Sequence, residues 1–539
     1  MRIRRAAAAL AAVMAFVLPR AAAPSAEPEP RLLLAASDSP RYVRIAADVR
    51  GSGVRGTEEL LIDRLTGRTV DHVDAGPLTS TDGFDGKRAW HADATGMPMV
   101  IGNAASRRDA LAWAHLFGRS GPEHPTVTRI SRRGRAELVR LRYPGLSGRL
   151  EVTVDAGRVV RVLDQTAVDP VVTVFGDYRR VRGVLAPFAI DEHSPFATWH
   201  YRVRRIAFPP SLPATAFAPP RPPDDARLDG VTTVPMRIAE GVPVVPIRID
   251  GGPVLHVLFD SGSTNYLTPA AARRVHLRAV GEDRTGGVGA LLVRERFTTV
   301  HRLEVGAAVL ADQPFGIIDD APGPGIDGAI GAEVLQRFVA GFDFVHRQVR
   351  LAMHAAALGV TGHPIPLRLA PSGPEIDGAL DGLAGAIAID TGSGVALDVM
   401  SPFVRKHGLA RRYRVHHLVS TGGGIGGGTV GYFALARTLR LGDVVFHDVP
   451  IALDTMTTGA LADPTQLGNL GTPLLWRFVT VFDYRNGRFW LLPVTPTTLR
   501  ATAGRTAGSR RGGSTRLRRG CRCAPARRTT SPHRSNPTR

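Results

Sequence analysis

Cysteine is nearly absent from this chain of 539 residues, and its two cysteines, Cys521 and Cys523, lie close to the C-terminus. The long segment before them therefore contains no disulfide bond and no zinc site built on thiolates. Aromatic residues make up only 6% of the chain, whereas Gly and Pro are frequent. This composition favours a β-rich fold with many turns, and a chain of this size can be stabilised by its core alone.

Long hydrophobic runs are also scarce. The run Ala6–Leu18 follows an arginine-rich start and precedes an Ala-x-Ala sequence at 21–23. It is too short to span a bilayer comfortably, and the pattern is typical of a secretory signal peptide. We therefore predict a signal peptide over residues 1–26, export to the periplasm or the medium, and no stable membrane anchor. An uncleaved N-terminal anchor is the alternative.

Acidic residues are missing from residues 501–539, which contain eleven arginines. With the four arginines of residues 1–26, they account for most of the net charge of +20, and residues 27–500 carry only +5. We predict that residues 501–539 are a disordered basic tail, because Arg, Gly, Ser, Thr and Pro cannot form a core. No aromatic residue alternates with these arginines, so nucleic acid is not an expected partner. A tail that binds nucleic acid or an anionic surface is the alternative.

Motifs for metals and nucleotides are lacking as well. The chain has no His-Glu-x-x-His sequence, and Gly83–Arg88 lacks the first glycine and the final Ser or Thr of a phosphate-binding loop. We therefore expect no metal site and no cofactor.

Strand patterns separated by turns fill residues 40–208, which we interpret as a β-rich N-terminal domain. The clearest is a hairpin whose strands, 150–154 and 158–162, flank Asp155-Ala156-Gly157. A proline-rich stretch over residues 209–228 follows and predicts an extended, semi-rigid linker.

A second domain, residues 229–495, contains the same short device twice. Asp260-Ser261-Gly262 follows the apolar run 257–259, and Asp390-Thr391-Gly392 follows the apolar run 386–389. An aspartate at the end of a buried strand is costly unless it has a use. Two such aspartates predict a pair of carboxylates that meet between two similar lobes.

Other features recur in the same order around each triplet. A hydroxyl residue followed by proline, typical of a helix start, occurs at Thr268 and at Ser401. A Gly-rich stretch follows in each half, at residues 286–289 and 422–428, and we interpret both as flaps. The halves close with Ala329-Ile330-Gly331 and Asn469-Leu470-Gly471. This repetition predicts duplicated lobes over residues 229–355 and 360–495.

The paired aspartates predict a definite chemistry. Two carboxylates about 3 Å apart cannot both ionise, so Asp260 and Asp390 would share one proton. The ionised carboxylate can take a proton from water while the neutral one hydrogen-bonds a peptide carbonyl, and neither role is assigned to one residue at this stage.

Four neighbouring residues support this pair. Gly262 and Gly392 allow backbone N–H groups to approach the carboxylates. Ser261 and Thr391 carry hydroxyls that can hydrogen-bond across the local twofold axis and hold both loops.

Residues 230–495 resemble the retropepsin-like aspartic proteases, in the two-lobed single-chain form of bacterial exported proteins. The resemblance implies a mainly β, bilobal fold of the pepsin or retropepsin kind, with Asp260 and Asp390 as catalytic residues of a metal-independent endopeptidase. The chain departs from the family pattern at Ser261 and Asn469, and its first flap, 286–293, has no tyrosine.

The N-terminal domain resembles the half-barrel domains of exported proteins such as periplasmic lipoprotein carriers. Residues 175–179 and 183–188 support this resemblance. It implies a curved antiparallel sheet able to hold an apolar ligand or a peptide; a packing domain without a ligand is the alternative.

We expect a peptide or protein substrate and an active site that needs no oligomer. Two other functions stay open: a peptide-binding protein that does not cut, and an exported carrier of lipid or lipoprotein.

Overall fold

A computed structural model describes residues 40–102, 107, 110, 126–142, 148–165, 169–320 and 323–494. The predicted signal peptide and the predicted basic tail lie outside the described residues. The structure is mainly β, with 56% strand and 10% helix, which confirms the β-rich class that the composition predicts.

The N-terminal strands form an antiparallel meander. They are β1 (Tyr42–Gly51), β2 (Val54–Asp63), β3 (Arg68–Asp74), β4 (Ser80–Phe84), β5 (Ala89–Ala92), β6 (Pro98–Ile101), β7 (Thr126–Arg133), β8 (Ala136–Arg142), β9 (Leu150–Asp155), β10 (Arg158–Asp164), β11 (Val171–Val181), β12 (Val184–His193) and β13 (Thr198–Ala207). Neighbours in the chain pair from β1 to β6 and from β7 to β13, and β1 pairs with β13. The predicted hairpin is confirmed as β9 and β10.

Alternation along these strands builds a separate core. In β1 the side chains of Val43, Ile45, Ala47 and Val49 are buried, whereas intervening residues face outward. Because strand side chains alternate between faces, one side of the meander becomes apolar. These residues join buried side chains of β2, β3 and β8–β13 in one hydrophobic cluster, whereas Ala89, Met99 and Ile101 of β5 and β6 belong to the core of the second domain.

The end of the proline-rich stretch and the first half of the second domain together contain twelve strands and two short helices among the described residues. The strands are β14 (Ala226–Arg227), β15 (Val231–Pro235), β16 (Arg237–Ala239), β17 (Val242–Ile249), β18 (Leu255–Phe259), β19 (Tyr266–Leu267), β20 (Val280–Thr285), β21 (Val293–Val305), β22 (Ala308–Ile318), β23 (Gly328–Ile330), β24 (Val339–Asp343) and β25 (Gln348–Ala352). The helices are α1 (Pro269–Arg274) and α2 (Ala332–Leu335).

The second half contains eleven strands and three short helices. The strands are β26 (Ile365–Pro366), β27 (Arg368–Ala370), β28 (Gly373–Leu380), β29 (Leu383–Ile389), β30 (Leu397–Val399), β31 (Val419–Gly424), β32 (Gly427–Leu441), β33 (Val444–Asp454), β34 (Gln466–Leu470), β35 (Phe478–Asp483) and β36 (Arg488–Pro493). The helices are α3 (Ser401–His407), α4 (Leu409–Arg412) and α5 (Thr472–Leu475). Short 3-10 turns occur at Gly76–Leu78, Ala214–Phe217, Ala355–Leu358 and Ala460–Ala462.

The two halves share the pairings that surround the aspartates. In the first half β23 lies parallel to β18 and antiparallel to β19, and β19 lies parallel to β22. In the second half β34 has the same relation to β29 and β30, and β30 lies parallel to β33.

A six-stranded antiparallel sheet joins the halves. Its order is β15-β25-β24-β35-β36-β26, with three strands from each half and the β24–β35 pair at the centre. Phe342 and Phe482 from these central strands pack edge to face, with ring centroids 5.6 Å apart. Both halves therefore share one sheet, and an apolar contact joins them at its centre.

The predicted helix starts have different outcomes. The hydroxyl of Thr268 accepts a hydrogen bond from the N–H of Ala271 and caps α1, as expected. The prediction for Ser401 is wrong, because α3 begins at Ser401 itself and Met400 occupies the cap position. The Ser401 hydroxyl instead donates to the carbonyl of Met456.

The N-terminal meander is docked on the second domain. Arg337, which is fully buried, bonds Asp225 at 2.6 Å and Thr95 at 2.6 Å. The proline-rich segment takes part, since Phe217 is buried and its carbonyl accepts from the indole N–H of Trp90 at 3.2 Å. No helix in the described residues is both long and apolar enough to cross a bilayer.

Candidate active site

Both aspartates lie directly after a buried strand, as the sequence predicts. The N–H of Asp260, after β18, donates to the carbonyl of Ile330 at 2.9 Å. The N–H of Asp390, after β29, donates to the carbonyl of Leu470 at 2.8 Å. The strand pairings of each half thus continue into its aspartate loop and hold the loop's position.

The glycines that close these segments lie tightly against the loops. A Cβ atom on Gly331 would lie 2.1 Å from the carbonyl oxygen of Ser263, and one on Gly471 would lie 2.2 Å from that of Val395. Such distances exclude any side chain, so only glycine fits at either position.

Ser261 and Thr391 tie the two loops together through four hydrogen bonds. The Thr391 hydroxyl accepts from the N–H of Ser261 at 2.9 Å and donates to the carbonyl of Phe259 at 2.6 Å. The Ser261 hydroxyl accepts from the N–H of Thr391 at 3.0 Å and donates to the carbonyl of Ile389 at 2.7 Å. We call this reciprocal arrangement the hydroxyl clasp.

The clasp brings the two carboxyl groups together. Asp260 accepts from the N–H of Gly262 at 2.7 Å, and Asp390 accepts from the N–H of Gly392 at 2.8 Å. A Cβ on Gly392 would lie 2.3 Å from the carboxyl carbon of Asp260, and one on Gly262 would lie 2.9 Å from Oδ1 of Asp390. Each glycine therefore leaves space for the carboxyl group of the opposite half.

The carboxyl groups are also hydrogen-bonded to each other. Burial raises the pKa of Asp260 well above its ordinary value, and the adjacent charge of Asp390 raises it further. Since two adjacent carboxylates cannot both ionise, the pair holds one proton over a wide pH range.

The outer surroundings of the two aspartates differ. The side chain of Asn469 donates to Oδ2 of Asp390 at 2.7 Å. Its counterpart beside Asp260 is Ala329, which offers no side-chain donor, and there the hydroxyl of Ser263 donates to the carbonyl of Thr264 at 3.2 Å. The departure that the sequence shows at Asn469 thus places an amide on one carboxylate of the pair.

A further buried acid lies near Asp390, and our sequence reasoning missed it. Asp398 pairs with Asn469 across β30 and β34, and the Ser393 hydroxyl lies near its carboxyl group. Burial raises the pKa of Asp398 to about 8, with contributions from the charges of Asp454 and Asp390. Asp398 lies between apolar Leu397 and Val399, and an aspartate inside an apolar strand is a sequence signal that could have identified it.

Asp454 extends this polar layer at the end of β33. Burial raises its pKa to about 6. In the first half the equivalent strand positions are held by Tyr266 and Ile318, which lie in a hydrophobic cluster. The layer beside Asp260 is thus mostly apolar and the layer beside Asp390 acidic.

The two Gly-rich stretches meet over the site. The N–H of Gly289 donates to the carbonyl of Ile425 at 3.1 Å, and the N–H of Leu291 donates to that of Gly426 at 3.0 Å. A Cβ on Gly289 would lie 2.1 Å from the backbone of Gly426. The glycines therefore allow backbone contact between the tips of the two flaps.

A cavity of about 1260 Å³ lies between the aspartates and the flaps. Its wall includes Glu192, Phe196 and Trp199 from the N-terminal meander, so three parts of the chain enclose it. The meander also holds β20, the strand that leads into the first flap: the N–H of Glu282 donates to the carbonyl of Ser52 at 2.7 Å, and the N–H of Arg284 to that of Phe196 at 3.2 Å. Sequence reasoning missed this contribution of the N-terminal domain.

A carboxyl pair that shares one proton, held rigidly at the base of a covered cleft, can activate water against a peptide carbonyl. Within the described residues, no group of three or more His, Cys, Asp or Glu is arranged to hold a metal ion.

Comparison with known families points to the same class. Residues 245–334 match the aspartyl protease family model, which indicates a peptidase domain in this chain. The match includes Asp260, its triplet and Ala329-Ile330-Gly331, and it ends before Asp390. A search of curated proteins found no match.

Proposed function

We propose that this protein is an aspartic endopeptidase in which Asp260 and Asp390 together activate the water that attacks a peptide bond. The single observation that carries the proposal is the hydroxyl clasp, because its reciprocal hydrogen bonds bring two aspartate loops from different halves to one point. The similarity of residues 245–334 to aspartyl proteases supports it.

The surroundings of the pair suggest its resting state. The amide of Asn469 stabilises negative charge on Asp390, and Asp260, whose pKa is raised, keeps the proton. Water between them transfers a proton to Asp390 as its oxygen bonds to the peptide carbon. Asp260 gives its proton to the carbonyl oxygen, which forms a tetrahedral diol. Asp390 then gives the proton it took from water to the leaving nitrogen, Asp260 takes a proton back from one hydroxyl, and the C–N bond breaks to leave an acid and an amine.

Several finer features belong to the same proposal. The paired topology around the two aspartates and the shared six-stranded sheet support duplicated lobes of the pepsin or retropepsin kind. The antiparallel meander, in which β1–β3 and β8–β13 share one hydrophobic cluster among the described residues, supports a half-barrel N-terminal domain. The N-terminal sequence supports export, and a peptide or protein is the proposed substrate.

The decisive experiment compares the wild type with Asp260→Asn and Asp390→Asn on a denatured protein substrate between about pH 3 and pH 8. Loss of either carboxylate removes the proton shared by the pair, so cleavage should fall by about a thousandfold or more, in the upper part of the 10²–10⁴ range that one acid or base contributes. A control, Asp443→Asn, changes an exposed carboxylate in the β32–β33 turn and should retain activity.

Two results would separate the alternatives. A wild type that cuts nothing across this range, yet binds an extended peptide, would contradict the proposal and favour a peptide-binding protein. Lipid that co-purifies with the chain and is detected by mass spectrometry would favour a carrier.

A further inference from the structure

The cleft that holds the aspartate pair has the opposite charge from the chain as a whole. Among the described residues that line it, twelve are Asp or Glu and none is Lys or Arg. The chain overall has 68 Lys and Arg against 48 Asp and Glu. A cleft lined by one sign of charge concentrates its electric field, so this cleft attracts cationic ligands.

The negative charge is distributed along the cleft. Besides the aspartate pair, acids come from the meander (Asp93, Glu192), the first half (Glu240, Asp283) and the second half (Asp398, Asp463). No three such groups in the part of the chain described here are arranged to hold a metal ion. This spread suits an extended ligand with several positive charges better than a single ion.

Some of these acids have no cation of their own. Asp93 is paired with Arg337 at 3.4 Å. In contrast, Glu240, Asp398 and Asp463 form no ion pair with any described residue. Asp398 is only 5% exposed, and burial raises its pKa to about 8, so it keeps a proton near neutral pH; a cationic side chain bound beside it would favour its ionised form.

An unused acceptor in the same wall gives independent support. The amide nitrogen of Gln466 donates to the Ser372 hydroxyl at 2.9 Å and to Glu375 at 3.2 Å. Its Oε1 accepts no hydrogen bond, although the residue is only 3% exposed. Gln466 lines the cleft close to Asp463 in the chain. Arg and Lys side chains are pure donors, so they match a free acceptor next to a carboxylate.

We propose that this cleft selects peptide segments rich in arginine and lysine, with Asp398, Asp463 and Gln466 accepting hydrogen bonds from their cationic side chains. This inference rests on the proposed protease function and names its substrate class. The chain contains one segment of this chemistry, residues 501–539, with eleven arginines and no acid. Its own C-terminal sequence is therefore a test substrate.

The experiment uses three fluorescent peptides of equal length with one shared apolar pair at the centre. Their flanking residues are Arg and Lys, Ser and Gly, or Glu and Asp; a fourth peptide copies residues 505–522. We expect kcat/KM to be at least about tenfold higher for the basic peptide than for the neutral one, because favourable cleft fields raise association by factors of 10 to 10³. The preference should shrink at high salt, because salt screens charges separated by more than the Debye length.

Variants then locate the preference. Asp398→Asn and Asp463→Asn should each reduce the ratio of basic to neutral kcat/KM about threefold or more, mainly through KM. The matched control Asp443→Asn removes an exposed carboxylate outside the cleft and should leave the ratio unchanged.

Binding to the Asp390→Asn protein, measured by fluorescence anisotropy, distinguishes failure of this inference from failure of the protease proposal. Tighter binding of the basic peptide and of the 505–522 peptide would support the inference even if no wild-type cleavage were found. Equal binding and equal cleavage of basic, neutral and acidic peptides would overturn it while leaving the protease proposal intact.

Discussion

Asp260 and Asp390 have the same inner contacts and different outer ones. Each accepts one hydrogen bond from the glycine of its own triplet, and the hydroxyl clasp treats the two loops alike. Outside that layer, Asp390 is bonded by the amide of Asn469 and lies near buried Asp398, whereas the equivalent positions beside Asp260 are Ala329 and Tyr266.

This difference separates two requirements of the site. Bringing two carboxyl groups together needs symmetric backbone geometry, so the inner layer is alike in both halves. For one carboxyl group to hold the proton, the other must be better stabilised as an anion, and a single hydrogen-bond donor on one carboxylate provides this stabilisation. We therefore expect changes in the inner layer to have equal effects in both halves and changes in the outer layer to have unequal effects.

The largest expected effect is on the clasp. Ser261→Ala or Thr391→Ala removes a hydroxyl that serves a buried N–H and a buried carbonyl, so each should lower the free energy of unfolding by about 2–4 kcal/mol. The two losses should agree within about 1 kcal/mol, since both hydroxyls make the same two contacts.

Urea unfolding followed by tryptophan fluorescence measures both losses. Thr391→Ser keeps the hydroxyl and serves as the matched control, with a loss below about 1.5 kcal/mol for the missing methyl group. A large loss at one position with almost none at the other would show that the inner layer is not symmetric.

A smaller effect is expected from the outer layer. Asn469→Ala copies the residue of the first half and removes a hydrogen bond to a charged group, a contact worth about 1.5–3 kcal/mol. We expect kcat to fall by about tenfold or more and the acidic limb of the pH–rate profile to move to higher pH, since negative charge on Asp390 loses its donor.

The reciprocal change, Ala329→Asn, places an amide on the side of Asp260 and tests the direction of the bias. It should also lower kcat, because it favours charge on the residue that holds the proton. A pH profile that is identical in the wild type and Asn469→Ala would contradict a role for the amide in placing the proton and leave it a structural one.

The inner layer was largely predictable from the sequence. Aspartate after an apolar run, glycine two residues later and a hydroxyl between them are local features, and each half repeats them. The closing phrases at Gly331 and Gly471 are also local. At these positions the backbones lie too close together for any side chain. The glycines in the sequence therefore indicate the close contact directly.

The outer layer and the cleft wall were not predictable in the same way. Asn469 was visible only as a departure from an apolar pattern, since its contact with Asp390 depends on the pairing of β29 with β34. Glu192 and Phe196 reach the cleft because the meander docks beside the first flap, which no local pattern encodes. The dipeptide Ser401-Pro402 predicts a helix N-cap at Ser401, but a tertiary hydrogen bond from Ser401 to Met456 overrides that local preference.

The smallest expected effect concerns the pH dependence of stability. The pKa of Asp398 in the folded protein, about 8, lies above its ordinary value of 3.8. The folded protein therefore keeps a proton that the unfolded chain has released, and stability falls as the pH rises from about 4 to 8. Asp398→Asn removes this loss, so the melting temperature should rise by about 2–4 °C at pH 8 and change little at pH 4.

Asp454→Asn should show a smaller gain in melting temperature, because burial raises the pKa of Asp454 only to about 6. Calorimetry at both pH values measures these shifts. An equal shift in melting temperature at pH 4 and pH 8 would show that Asp398 does not titrate in this range. The layers beside Asp390 and Asp260 would then differ in packing and not in how they respond to pH.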